Sequence, residues 1–415
     1  MFFQVKTSEE VQGLLKGFGP RGEETIAIEE AIHRIVSREI TAGEDLPDFS
    51  RSSMDGYAVR AKDTFGATDS LPAFLELSGD VVMGRAPTAV VSAGNAVRIS
   101  TGGMLPEGAD AVVMLEYCHD VDEKTIEVSR AVAPMENVIA RGDDFAKGTV
   151  VFQRGDTMRP QDIGVLAGLG IEKIPVFRRP KVTIISTGDE VIPIHRKPKP
   201  GQVRDINSYA LSAFCLQCGA IPVRTGLCED NFDAIREAVR EALEGCDTVW
   251  LSGGSSVGAR DMTVKVLNSF EGMKLLVHGI AISPGKPTII AEINNKALFG
   301  LPGHAAAALI VAEVFLKPFL ARISGDEKTS DKCHQYVKAE LARNIESASG
   351  RDDYVRVKLH SSEGRLLAEP VFGKSGLIST LVAAQGLVKI NRNEEGLYKG
   401  QEVSVMLFKG FEEKV

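Results

Sequence analysis

The sequence predicts a multi-domain chain of α/β and β architecture. A central doubly wound α/β domain of three layers follows a β-rich domain and a small helical N-terminal domain, and a C-terminal β-barrel closes the chain. Three observations predict this. The length of 415 residues exceeds what one hydrophobic core organises. Between residues 181 and 251 strand-like and helix-like segments alternate, the rhythm of a parallel sheet wrapped by helices. On either side the pattern changes to short apolar runs broken by turn residues, in a chain with 41 glycines and 18 prolines.

In order along the chain, apolar residues recur at Ile28, Ile32, Ile35 and Val36 behind Glu29 and Glu30, which predicts an amphipathic helix over residues 26–40. Short alternating runs at 96–100 and 111–115 mark the β-rich segment, residues 43–138. A helix is predicted over 160–169, stopped by Gly170, before the linker composition of Arg178-Arg179-Pro180. Residues 1–42 and 139–178 are assigned, in line with the family resemblance given below, to one discontinuous helical and linker domain. Within residues 179–326 strands are expected at 181–186, 221–227 and 248–251, and helices at 208–218, 232–243 and 305–323. Short strands at 354–359, 387–390 and 402–407 predict a small β-barrel or sandwich over residues 327–415.

The bulk properties exclude several classes. A formal net charge of −8 speaks against a nucleic-acid surface, which is built from clustered Lys and Arg. The N-terminal residues lack the basic and apolar regions of a signal peptide, so a cytoplasmic location is expected. The most apolar helical stretch, 305–315, is short and carries Glu313, so no membrane span is expected. Six scattered cysteines show no disulfide framework, and Cys215 and Cys218, although spaced C-x-x-C, fall within a predicted helix and read as buried thiols rather than a zinc or redox pair.

The chemistry-bearing residues lie where the predicted parallel strands end, the face on which open α/β sheets bind ligands. One strand ends in Ser186-Thr187-Gly188-Asp189-Glu190, the next in Glu229-Asp230, and the third enters a loop running from Ser252 to Asp261. In that loop Gly253, Gly254 and Gly258 allow backbone N–H groups to converge on an anion, and Ser255 and Ser256 add hydroxyl donors. Asp261 is read either as the N-cap of a helix through Val264 and Leu267 or as a catalytic acid. In Pro284-Gly285-Lys286-Pro287 two prolines stiffen a turn that aims one ammonium group at an anion. Asp189, Glu190, Asp230 and Asp261 together suit a Mg²⁺ ion between carboxylates and phosphate oxygens, while each alone is equally a turn or cap residue.

These loops, with Pro47 to Val59, Arg98 to Gly103 and Pro106 to Val113 in the β-rich segment, make up five motifs in order across nearly the whole chain. The sequence thereby resembles the molybdopterin molybdenumtransferase family, which includes bacterial and archaeal MoeA and the C-terminal domain of gephyrin. The resemblance implies four domains and a homodimer whose cleft lies between the α/β domain of one protomer and the β-rich domain of the other. Asp55 and Thr101 would then reach the cleft from the second protomer, and Glu190, Asp230, Asp261 and Lys286 from the first. Substrate-binding positions would be Ser186, Thr187, Gly188, Asp189, Ser252, Gly253, Gly254, Ser255, Ser256, Gly258, Pro284 and Gly285. Arg351 and Ser375 would join them from the C-terminal domain.

The implied reaction takes adenylylated molybdopterin and molybdate and releases AMP, with Mg²⁺ held by Glu190, Asp230 and Asp261. A molybdopterin adenylyltransferase is the implied pathway partner. Insertion of tungstate, and a pterin-binding scaffold without turnover, are the alternatives. Two departures from the family pattern stand out: Ser283 occupies a position where Lys or Arg is common, and His304 replaces the Asn of the usual Leu-Pro-Gly-Asn-Pro and is expected to serve as a cap or packing residue. His278 has no second His or Cys at ligand spacing and is read as structural.

Overall fold

The computed structural model describes residues 5–253, 257–327 and 333–408, the side chains of 257–261 excepted. The chain forms two compact units, one of residues 25–175 and one of residues 1–24 with 176–415.

Residues 25–175 are built on a six-stranded sheet in the order Ala111–Met114, Gly56–Val59, Asn95–Ile99, Ala73–Asp80, Thr125–Val128 and Cys118–Asp120. Alternate residues of these strands pack on opposite faces. Tyr57, Val59 and Val113 join one apolar cluster while Ala58, Val97 and Val112 join another. The predicted strands at 96–100 and 111–115 are thus present within one residue.

The helix expected over residues 26–40 does not form. Its place is taken by the end of the strand Glu23–Ala27, a single 3-10 turn Ile28–Glu30 and the short strand Ile40–Thr41. The backbone N–H groups of Ile28, His33, Val36 and Ser37 donate instead to the carbonyls of Glu172, Met158, Asp156 and Pro175. His33 adopts φ +61°, which no α-helix tolerates. The β-branched isoleucines that produced the apparent periodicity favour this extended pairing. The α-helix Pro160–Gly168 matches the expected one, with Pro160 in its first turn and Gly170 at φ +66° beyond its end.

In the larger unit, an α-helix Ser8–Leu15 that periodicity did not suggest sends Val11 and Leu15 into the central core, followed there by Phe18. A reciprocal cap starts it: Thr7 Oγ1 accepts from the Glu10 N–H at 3.2 Å, and Glu10 Oε2 accepts from the Thr7 N–H at 2.7 Å.

The central sheet runs Ile221–Cys228, Lys181–Thr187, Thr248–Ser252, Lys296–Leu301, Ile289–Ile293 and Lys274–His278. The first four strands are parallel as expected, but Ile289–Ile293 runs antiparallel to both of its neighbours, Lys296–Leu301 and Lys274–His278. The reversal is made by the two-residue turn Asn294-Asn295, whose φ values of +51° and +60° suit a tight hairpin. Period-two alternation separates the layers. Val182, Ile184, Trp250 and Phe299 face the helix Asn207–Gln217 and the helical stretch from Ala305 to Ile323, whereas Ile185, Val249, Leu251 and Leu298 face the helices Phe232–Gly245 and Val257–Asn268. The stretch from Ala305 to Ile323 contains a π-helical turn, Ala312–Leu316, just before Pro318, whose missing N–H interrupts regular α-helical bonding.

The C-terminal strands Asp352–Ser362, Arg365–Pro370, Tyr336–Leu341, Glu402–Leu407 and Gly386–Ile390 close on themselves as a five-stranded barrel around Leu341, Val357, Ala368, Val388 and Val405. One feature positions the site. The short strand Ile282–Ser283 of the α/β region pairs in parallel with Asp352 and Asp353 at the barrel edge, which carries the proline-flanked Lys286 turn to Arg351.

Candidate active site

Two adjoining clefts lie where the carboxyl ends of the parallel strands meet the barrel. The first, of about 320 Å³, is lined by Ser186, Thr187, Glu190, Asp205, Asn207, Ser252 and Gly253. Ser186 and Ser252 are register partners, so two neighbouring strands end side by side. Gly253 permits this close approach, because a Cβ there would stand 2.3 Å from the Thr187 carbonyl oxygen.

Both serines are buried and held by second residues. The Ser186 hydroxyl donates to Asp205 Oδ1 at 3.1 Å, and Asn207 Nδ2 donates to Ser252 Oγ at 2.7 Å and to the Gly303 carbonyl at 2.9 Å. Asp205, itself buried, also accepts from the Ser208 N–H and hydroxyl. Sequence reasoning missed Asp205 and Asn207. The readable signal was an Asp three residues before Ser208 at the start of an apolar helix, a capping pattern.

At the rim, the Asp230 N–H donates to Asp189 Oδ1 at 3.3 Å. Burial pushes the Asp230 carboxyl above the ordinary carboxylate range, and the charges of Asp189 and Glu190 push it further in the same direction. Three of the four predicted acids are thus close enough to repel one another. Among the described residues no trio of His, Cys, Asp or Glu is placed to hold a metal ion by itself. Gly254, Ser255 and Ser256 lie outside the described residues, as does the Asp261 side chain. The backbone nevertheless corrects one reading: the helix starts at Val257, so Asp261 and Gly258 sit inside it, and Asp261 is not its N-cap.

The second cleft, of about 460 Å³, is lined by Ser283, Pro284, Gly285, Lys286, His304, Arg351, Arg356 and Ser375. Lys286 is exposed within the cleft, and Arg351 Nε is ion-paired with Asp353 at 2.9 Å. Arg356, which sequence reasoning also missed, is 9% exposed. Its Nη1 donates to Thr380 Oγ1 at 2.8 Å and its Nη2 to the Gly373 carbonyl at 2.9 Å, while its buried Nε has no hydrogen-bond partner. Burial holds its pKa below the ordinary guanidinium value. His304 occupies the N-cap position of the helix Ala305–Val311, as expected, but its side chain caps nothing. Its Nδ1 lies 2.8 Å from Ser375 Oγ instead. The arrangement concentrates positive charge and donors on a small volume suited to an oxyanion.

Asp55 and Thr101 lie in the other compact unit, where they bond each other. Asp55 Oδ1 accepts from the Thr101 N–H at 2.7 Å and from its hydroxyl at 3.1 Å. The C-x-x-C thiols are free, and burial raises both, Cys218 to about 12, in keeping with core thiols.

Comparison with known proteins covers nearly all of this architecture. Residues 5–170 match the MoeA N-terminal region (domain I and II), residues 183–322 a probable molybdopterin binding domain, and residues 338–408 the MoeA C-terminal region (domain IV). The chain is 36% identical to a putative molybdopterin biosynthesis protein of Methanocaldococcus jannaschii, over 92% of each chain. It is 32% identical to a molybdopterin molybdenumtransferase of Bacillus subtilis, over 94% of this chain and 91% of that one. A solved molybdopterin biosynthesis MoeA protein from Pyrococcus horikoshii superposes with a TM-score of 0.85 at 35% identity, covering 98% of this chain and 100% of the other.

Proposed function

The chain belongs to the MoeA family, and from that premise we propose that it is a molybdopterin molybdenumtransferase of molybdenum cofactor biosynthesis, taking adenylylated molybdopterin and molybdate and releasing AMP. The observation that carries the reading is the pair of adjoining clefts. One presents buried, pre-positioned hydroxyls at the strand ends, and the other gathers Lys286, Arg351, Arg356, His304 and Ser375. The first suits the nucleotide phosphate and pterin, the second the metal oxyanion.

Burial and the charges of Asp189 and Glu190 push the Asp230 carboxyl up, a cost that a cation shared with further oxygens would offset. On this reading Glu190 and Asp230, with Asp261, would hold Mg²⁺. The ion would offset phosphate charge and polarise the phosphate oxygens. The chain's own groups bind and orient: Lys286 and the guanidinium groups hold the oxyanion, and Ser186 and Ser252 hold the phosphate end. A homodimer, in which Asp55 and Thr101 of one copy face the cleft of the other, is part of the proposal. It is supported by exposed apolar side chains in residues 25–175 such as Phe65 (62%), Leu71 (72%) and Phe74 (59%). So are a cytoplasmic location and supply of substrate by a molybdopterin adenylyltransferase. No described helix is long and apolar enough to cross a membrane.

The test is incubation of the purified chain with adenylylated molybdopterin and Mg²⁺, scoring AMP release with molybdate, with tungstate and with neither. Release that depends on molybdate supports the proposal, and release with tungstate alone would reassign the metal. No release in any arm would point to a non-catalytic pterin-binding scaffold.

A further inference from the structure

The two clefts share one side chain, that of His304, which lines both of them. Its ring is held from the barrel side: Nδ1 lies 2.8 Å from Ser375 Oγ, and its other edge runs beside Gly376, where a Cβ would come within 3.8 Å of Cδ2 and 3.9 Å of Nε2. The charged groups around it are Lys286, Arg351 and Arg356 in one cleft and Glu190, Arg204 and Asp205 in the other. Ammonium and guanidinium groups keep their charge through the neutral range, whereas imidazole is the side chain whose charge changes between pH 5 and 8.

Protonation would alter the cleft in two ways at once. A protonated ring carries two N–H donors and no acceptor. Its Nδ1–H then donates to Ser375 Oγ, and the serine's own proton is free to be donated to a ligand. A neutral ring with a bare Nδ1 accepts that serine proton instead and removes the donor from the cleft. When deprotonation leaves Nδ1 bare, charge and donor vanish together.

We propose that His304 is a positioning residue that sets the affinity of the Lys286 cleft for a tetrahedral dianion, acting through Ser375 and binding tightly only while its ring is protonated. The inference rests on the assignment of this cleft to the metal oxyanion made above. It gives a role to the two departures from the family pattern together. Ser283, which lines the same cleft, brings no charge where Lys or Arg is common, and the imidazole supplies one that can be withdrawn.

The experiment is isothermal titration of the full chain with molybdate at pH 5.5, 6.5 and 7.5, with AMP as a separate ligand, for the wild type, His304→Asn, His304→Gln and Ser375→Ala. Wild-type molybdate affinity is expected to fall on the order of tenfold from pH 5.5 to 7.5, the interval in which imidazole side chains as a class change charge. Both His304 variants are expected to bind at the weaker level with no slope, and Ser375→Ala to flatten the slope in part. Thermal unfolding of each variant confirms that it is folded. A slope retained in both His304 variants, or no slope in the wild type, would overturn the role of His304. A wild-type chain that binds AMP but not molybdate at any pH would instead remove the oxyanion assignment on which the inference stands.

Discussion

Replacing Gly285 by alanine should both weaken the fold and displace the Lys286 turn. Gly285 adopts φ +120°, a region L residues rarely enter. A Cβ there would lie 2.6 Å from Val311 Cγ2 and 2.7 Å from Ile282 Cδ1. Those side chains are buried at 0% and 1% exposure, so neither has free space to retreat into. Backbone strain contributes about 1–2 kcal/mol and overpacking about 1–3 kcal/mol, for roughly 2–5 kcal/mol in total. Gly201→Ala is the matched control. Its φ of +87° carries similar strain, but no atom lies within 4 Å of the added methyl, so it should cost only about 1–2 kcal/mol.

Urea denaturation of the two variants isolates the crowding term by difference. Calorimetric titration with molybdate should show affinity lowered at least about tenfold in Gly285→Ala and unchanged in Gly201→Ala, because a shift of about 1 Å in a binding group is enough to lose productive geometry. If the two variants proved equally stable and bound molybdate equally well, the close-packed support assigned to the Lys286 turn would be refuted.

Other perturbations have defined outcomes. Asp205→Ala removes the partner of Ser186 Oγ and of both Ser208 donors in a buried setting and should cost about 2–4 kcal/mol in denaturant titration, with slower AMP release as Ser186 loses its orientation. Asp230→Asn should do the opposite to stability. The folded-state pKa of Asp230 is raised, so its unfavourable contribution is full above that pKa and disappears as pH falls through it. Removing the charge should gain a few tenths of a kcal/mol at neutral pH, while AMP release falls at least about tenfold. Thr7→Ala breaks the reciprocal cap of the helix Ser8–Leu15 and should lower stability by about 1 kcal/mol with no change in molybdate affinity. Cys218, with its thiol pushed up to about 12, should be alkylated at pH 8 orders of magnitude more slowly than a free thiol, and comparable rates would reopen the C-x-x-C as a reactive pair.

The central domain was legible because its strands alternate with helices. The rhythm of strand-like and helix-like segments from residue 181 to 251 could be read from the sequence, but the faces of a run such as Val182 to Ile185, apolar on both sides, could not. The same pattern logic failed over residues 26–40, where the backbone N–H groups of Ile28, His33 and Val36 are paired by distant carbonyls at Glu172, Met158 and Asp156 that no local window contains. The Ser8–Leu15 helix was missed although Thr7 and Glu10 spell a capping box, since eight residues offer too little apolar periodicity. The antiparallel end of the sheet hung on one Asn-Asn turn.

At the site, local composition found the strand-end loops and the Lys286 turn but not their relation. The pairing of Ile282–Ser283 with Asp352 and Asp353 joins segments some seventy residues apart, and this pairing brings Arg351 beside Lys286. Arg351 and Ser375 were reached only through family resemblance, and Arg356, internal to a barrel strand, carried no local signal. His304 was noticed as a departure and read as a cap, because nothing near it in sequence announces Ser375 as its partner.

The most direct measurement is anomalous diffraction from crystals of the full chain soaked in tungstate or molybdate. A metal peak is expected in the cleft bounded by Lys286, Arg351 and Ser375, lost in crystals of Lys286→Ala. A peak elsewhere on the chain, or an empty cleft in crystals whose soaked protein still releases AMP in a molybdate-dependent manner, would contradict it.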